Sequence, residues 1–264
     1  MIRLPALFLL AAPLPCLAQD FYLLPERFVL KPGEEFELAI HNGDFFPGSE
    51  FSIPPEKLSR ARLSTGVALR DWQDLGDRTV ARLRAPAAKS SFYAAVETVP
   101  LARELEADDF EAYLADEGAN DTLQWRSRQG ETRRPGRESI RRSAKALLAV
   151  GEPGAGFDHP VGHPLEIVPL RNPALLKPGD ELPVRVLFRG AALRGALINV
   201  RWLYGDGRMG SMAAGPTDAR GQTVVIMEAA GQWKLHTLRL VRRLDRREAD
   251  WDTYSASLTF TTAR

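Results

Sequence analysis

The 264-residue chain has a single cysteine, Cys16, and it falls in an N-terminal stretch that reads as a leader. Once that stretch is removed, no disulfide, thiolate metal site or cysteine nucleophile is available. Neither sign of charge dominates: 35 Lys+Arg against 34 Asp+Glu leave a formal charge of +1. Such a balance gives no general electrostatic pull toward nucleic acid or an anionic membrane. No apolar run beyond the leader is long enough to span a bilayer. Nucleophile elbow, phosphate loop and paired-histidine protease helix are all missing. With no matched nucleophile and base, a non-catalytic role is expected. The run Gly205-Asp206-Gly207-Arg208-Met209-Gly210 fits G-x-G-x-x-G by letter. It is followed by Pro216 and a turn where a dinucleotide site needs a helix, so it reads as a hairpin loop.

Residues 1–18 have the pattern of an export signal. Arg3 gives a positive start, an apolar run follows, and Cys16-Leu17-Ala18 is a small-x-small cleavage site. Cleavage after Ala18 and a periplasmic location are expected. Pro15 argues against lipid attachment at Cys16.

One phrase occurs twice: Leu30-Lys31-Pro32-Gly33-Glu34 and Leu176-Lys177-Pro178-Gly179-Asp180. Pro-Gly makes a turn, with proline fixing φ and glycine accepting a positive φ, and alternating residues then begin a strand. An apolar segment ending in Pro25 or Pro169 precedes each copy. The repeat predicts a mainly β protein of two tandem antiparallel sandwiches, Ig-like or prealbumin-like. The predicted boundaries are 19–150 for the first domain, 151–164 for a Gly/Pro-rich linker and 165–264 for the second domain. In the first, residues 21–24, 36–41, 51–53, 79–84 and 91–99 read as strands. The stretch 144–150 reads as the returning last strand. In the second, strands are expected at 165–168, 181–188, 196–203, 222–227, 233–241 and 254–261.

Between about 104 and 130 the pattern turns helical. Leu105, Phe110, Tyr113 and Leu114 have helical spacing with Gly118 as a stop, and Asp121 opens a second short helix. A helical hairpin inserted in the first β-domain is predicted. From Arg126 to Lys145 there are eight Lys/Arg against two Glu. This run reads either as a basic binding patch or, preferably, as a solvated face over the acidic helix.

The four histidines, His41, His159, His163 and His236, are the candidates for chemistry. Asp158-His159-Pro160-Val161-Gly162-His163 sets two imidazoles beside a carboxylate in the linker, a donor set suited to nickel, cobalt, zinc or copper. His236 lies on a predicted strand. The expected metal set is therefore His159 and His163, completed by Asp158 or His236. Trp202 and Trp251, with Trp233 and Tyr254, read either as a stacking platform for a sugar or as sandwich core.

Several stretches together resemble a known family: Asp20-Phe21-Tyr22-Leu23-Leu24-Pro25, Pro135-Gly136-Arg137-Glu138, Val161-Gly162-His163-Pro164-Leu165-Glu166 and Asp250-Trp251 with Ser257-Leu258-Thr259-Phe260. They are similar, in order along nearly the whole chain, to a bacterial exported domain family of unknown function formerly described as a nickel-uptake periplasmic component. The resemblance implies two β-domains with a helical insertion. It also implies a role beside metal uptake, with an envelope transporter or outer-membrane receptor as partner. Members of that family carry a histidine before the Asp-Phe pair, where this chain has Gln19. Arg239-Leu240 stands where they have a histidine-methionine pair. The combined expectation is a non-catalytic periplasmic binding protein associated with nickel or cobalt uptake, zinc and copper being the other metals. The alternative is a structural adaptor docking on an envelope receptor through the helical insertion, or on a glycan through Trp202 and Trp251.

Overall fold

A computed structural model describes residues 20–43, 46–48 and 51–263. The expected leader, its cleavage site and Gln19 lie outside these residues. The first half of the chain contains β1 (Asp20–Pro25), β2 (Val29–Leu30), β3 (Glu35–Gly43), β4 (Leu58–Leu63), β5 (Gln73–Asp74), β6 (Thr79–Arg84), β7 (Ser90–Thr98) and β8 (Leu101–Leu105). Then come the helices α1 (Ala107–Asp116) and α2 (Asn120–Arg128) and the strand β9 (Gly136–Val150). The second half contains β10 (Leu165–Pro169), β11 (Glu181–Phe188), β12 (Ala191–Ala192), β13 (Ile198–Leu203), β14 (Met209–Ala214), β15 (Gln222–Ile226), β16 (Gln232–Arg242) and β17 (Trp251–Thr261). The protein is mainly β with a small helical insertion.

The repeated phrase builds the same turn twice. Gly33 and Gly179 have φ of 70° and 91°. The amide of Lys31 donates to the Glu34 side chain at 2.6 Å, and that of Lys177 to the Asp180 side chain at 2.9 Å. Each turn joins an antiparallel pair, β1 with β3 and β10 with β11.

The expectation of two tandem sandwiches needs a correction at the level of the sheets. One nine-stranded sheet runs through both halves, in the order β14-β13-β16-β17-β9-β7-β4, with β2 and β8 also on β9. The halves are joined by a parallel pairing of β17 with β9, from Trp251 opposite Glu138 to Thr259 opposite Ala146. Period-two alternation sends successive side chains to opposite faces. Thus Ala144, Ala146 and Leu148 of β9 face a core with Phe21, Leu23, Phe36 and Leu38 of the small sheet β1-β3-β6-β5. Leu147, Tyr93, Tyr254 and Leu258 face the opposite core with Leu182, Val184 and Val186 of the other small sheet, built on β11.

Helices α1 and α2 cover the remainder of the first face. Phe110, Tyr113 and Leu114 pack with Leu238, Leu240 and Trp251. Asp108 and Asp109 sit in the first turn of α1, where negative charge suits the helix dipole. Gly118, at φ 65°, ends that helix.

The basic stretch differs from the expected solvated face. Much of it lies in the central strand β9, where Arg142 and Lys145 are buried. Burying a cation requires a partner. Lys145 Nζ is 2.6 Å from Glu166 Oε1, and Arg142 donates to Asn42 Oδ1 at 2.5 Å. Arg126 does reach Glu111 on α1, at 2.5 Å. Glu166 also accepts backbone N–H bonds from Val161, Gly162 and His163, at 2.7, 3.0 and 3.2 Å. The linker is thereby clasped to the sheet.

Candidate metal centre

The centre lies where the start of β1 meets the end of α1, over β16. Lys234 and His236, two apart on β16, point to the face that carries β1 and the helices. Ser257 and Thr259 of β17 donate hydroxyl bonds to the Phe21 and Leu23 carbonyls at 2.7 and 2.6 Å, which fixes β1 above the sheet. Asp20, the first residue of β1, is thus carried over β16. Glu117 caps the C-terminus of α1. A Cβ on Gly118 would lie 2.3 Å from Leu197 Cδ2, so only glycine lets the helix end approach the sheet this closely.

His236 Nδ1 is 3.1 Å from Glu117 Oε2 and 3.6 Å from Asp20 Oδ1. Asp20, Glu117 and His236 are 5, 6 and 4% exposed, so bulk water does not screen them. Nδ1 thus faces both carboxylates, with Glu117 Oε2 the nearer. The two oxygens of Asp20 are used differently. Oδ2 takes the Lys234 ammonium, together with the Arg201 guanidinium at 3.3 Å. Oδ1 is the one turned to His236. Asn199 Nδ2 donates to Glu117 Oε2 at 3.1 Å, which holds that carboxylate in place.

The charges shape the titration of these groups. Burial opposes the imidazolium, yet the Glu117 and Asp20 carboxylates outweigh it and raise His236 above the ordinary histidine value. Burial alone would raise Asp20, but His236, Lys234 and Arg201 together hold it below the ordinary carboxylate range. Lys234 is lowered by burial in spite of Asp20.

The spacing suits a metal ion. Bonds of about 2.1 Å place neighbouring donors about 3.0 Å apart in an octahedron and about 3.4 Å apart in a tetrahedron. One imidazole and two carboxylates, with no thiolate, is a borderline-to-hard set fitted to a first-row divalent cation.

Among the described residues this is the one group of three donor side chains that meets. Of the residues expected from sequence, only His236 belongs to it. Asp158 and His159 are exposed on the linker, His159 with its ring edge to Tyr93 at 5.6 Å. His163 is buried, and burial drives its pKa down to about 3. His41 is stacked on Tyr22 at 5.1 Å, and burial lowers it to about 4. Trp202 stacks on Trp233 at 5.0 Å inside the second core. Trp251 packs edge-on against Trp125 at 5.3 Å, and the Arg242 guanidinium lies against both rings. Both candidate ligand-binding tryptophans are therefore buried side chains. Asp20 and Glu117 were missed because no local spacing links them to His236.

Among solved structures, the chain resembles the Escherichia coli adhesin FdeC at 16% identity and a TM-score of 0.26. It covers 90% of this chain and 65% of the adhesin chain. An Escherichia coli alpha-2-macroglobulin activated by porcine elastase is similar at 13% identity and a TM-score of 0.25, over 93% of this chain and 20% of that one. Likeness at this level carries no functional argument. No curated protein matches. The model of a domain of unknown function, DUF4198, matches residues 16–240, and the chain belongs to that family.

Proposed function

We propose that the protein is an exported, non-catalytic binding protein whose centre takes a divalent transition metal on Asp20, Glu117 and His236. The observation that carries this reading is the buried Nδ1 of His236, set between two carboxylate oxygens at ligand-like separations. Nickel and cobalt suit the set and follow from the family resemblance. Zinc and copper are the natural competitors, since affinity for such sites follows the Irving–Williams order. Glu117 ties the helical insertion to the centre, so the insertion serves the site in this reading.

Calorimetry of residues 19–264 with nickel, cobalt, zinc and copper salts tests it. One-to-one binding is expected, weakening as the pH falls and His236 takes up a proton. His236→Ala is expected to lower affinity at least tenfold, and Glu117→Gln to lower it as well. Wild-type protein that takes up no metal, or His236→Ala with unchanged affinity, would overturn the assignment. An adaptor working through the helical insertion would give silent metal titrations.

A further inference from the structure

A second site lies on the opposite face of the central sheet. The linker residues Pro160, Gly162, His163 and Pro164 wall a cleft of about 610 Å³, closed by Leu187 and Arg189 at the end of β11, Arg141 of β9 and Tyr254 of β17. That volume is within the range of small-molecule pockets, about 300–1,000 Å³.

Two guanidinium groups line this cleft, and among the described residues neither is in a salt bridge with a carboxylate. Arg141 and Tyr254 are direct neighbours in the parallel pairing of β9 and β17. Arg189 donates to the Tyr254 hydroxyl at 3.0 Å and lies 5.0 Å over the Phe188 ring. Aromatic contact and one hydrogen bond thus hold the guanidinium while leaving most of its donors free. The carboxylate of Glu166 also lines the cleft, but Lys145 and three backbone amides already satisfy it. Glu97, which feels Arg141, has Arg60 at 3.3 Å as its partner.

The backbone adds an independent sign. Arg189 and Gly190 have φ of 52° and 80°. The tight turn they form favours Asn-Gly or Gly-Gly, because a long L side chain at positive φ is strained. Strain of this kind gathers at functional sites. Here it directs a guanidinium into the cleft.

We infer that this cleft binds a small organic anion, its oxyanion group held by Arg141, Arg189 and the Tyr254 hydroxyl, with Pro160, Pro164 and Leu187 against its apolar part. Guanidinium forks match both carboxylate and phosphate geometry. The site is separate from the metal centre, which lies across the sheet.

The test is titration of residues 19–264, without added metal, with citrate and with glycerol phosphate, against sodium chloride at equal ionic strength. Saturable binding of at least one anion, absent with chloride, is expected; which of the two binds tells carboxylate from phosphate. Arg141→Gln and Arg189→Gln are each expected to weaken it at least tenfold, with Arg82→Gln, on β6 of the other small sheet, unchanged. Arg189→Gly guards against misfolding as a cause. It relieves the positive φ, so binding should be lost while the melting temperature is unchanged or higher. No saturation with either anion, or full binding by Arg189→Gly, would overturn the proposal.

Discussion

The three buried histidines of this protein are of two kinds, and their environments set opposite pH dependences. For His163 and His41 burial outweighs the nearby carboxylates of Glu166 and Asp77, and their pKa values fall to about 3 and about 4. A group depressed in the folded state contributes stability above its unfolded pKa and loses it as the pH falls. Between pH 6.5 and about 4, His163 should cost about 1.4 kcal/mol per pH unit. Denaturant melts at pH 7, 5.5 and 4.5 should show His163→Gln losing less stability on acidification than wild type; equal losses would contradict this. His236 works the other way. Its raised pKa means that, without metal, its contribution is full below the unfolded value and is lost as the pH rises through the folded one. Lys234 shares Asp20 with the centre and repels a cation placed there. Lys234→Gln is therefore expected to raise cobalt affinity about tenfold, the equivalent of roughly 1.4 kcal/mol of Coulomb repulsion. Reduced affinity in a folded variant would contradict that role. At this scale the sequence singles out His236 but not its partners. Asp20, Glu117 and His236 come from a strand start, a helix end and a strand middle, and residue spacing carries no trace of such a meeting.

The elements are more legible than the centre, for local reasons. The Lys-Pro-Gly phrase predicts its two turns because proline and glycine restrict the backbone themselves, and both turns form with matching hydrogen bonds. The helical hairpin is legible from Phe110, Tyr113 and Leu114 and from the Gly118 stop. The long strand β9 is legible only over 144–150, because the cations of its first half mask the burial pattern there. Only their distant partners, Asn42 and Glu166, make Arg142 and Lys145 acceptable inside. The end of α1 is the element on which the centre depends. Gly118→Ala meets both a positive φ and Leu197, so a loss of about 1–3 kcal/mol is expected. Because that turn aims Glu117, cobalt affinity should fall with it. Urea melts and titration of the same variant check the pair, and wild-type values for both would contradict the packing.

At the scale of the molecule, the two repeated strand-turn-strand units lie on opposite faces of one sheet. The parallel pairing of β17 with β9 was not legible, because a strand's own pattern does not name its neighbour. Nor does the sandwich pattern of the second half predict that its last strand completes the first. The consequence is mutual dependence. Residues 165–264 alone would leave the edge of β17 and the face under β1 open to water, inviting aggregation. Expressed separately, that segment is expected to aggregate or to give collapsed amide NMR spectra. A well-dispersed spectrum would contradict the shared-sheet account. The same architecture makes the metal centre a three-way junction of β1, α1 and β16. The most direct test is an anomalous difference map from crystals of residues 19–264 grown with cobalt. The account requires a peak within about 2.2 Å of Asp20 Oδ1, Glu117 Oε2 and His236 Nδ1. A peak on His159 and His163 instead, or none at the junction, would contradict it.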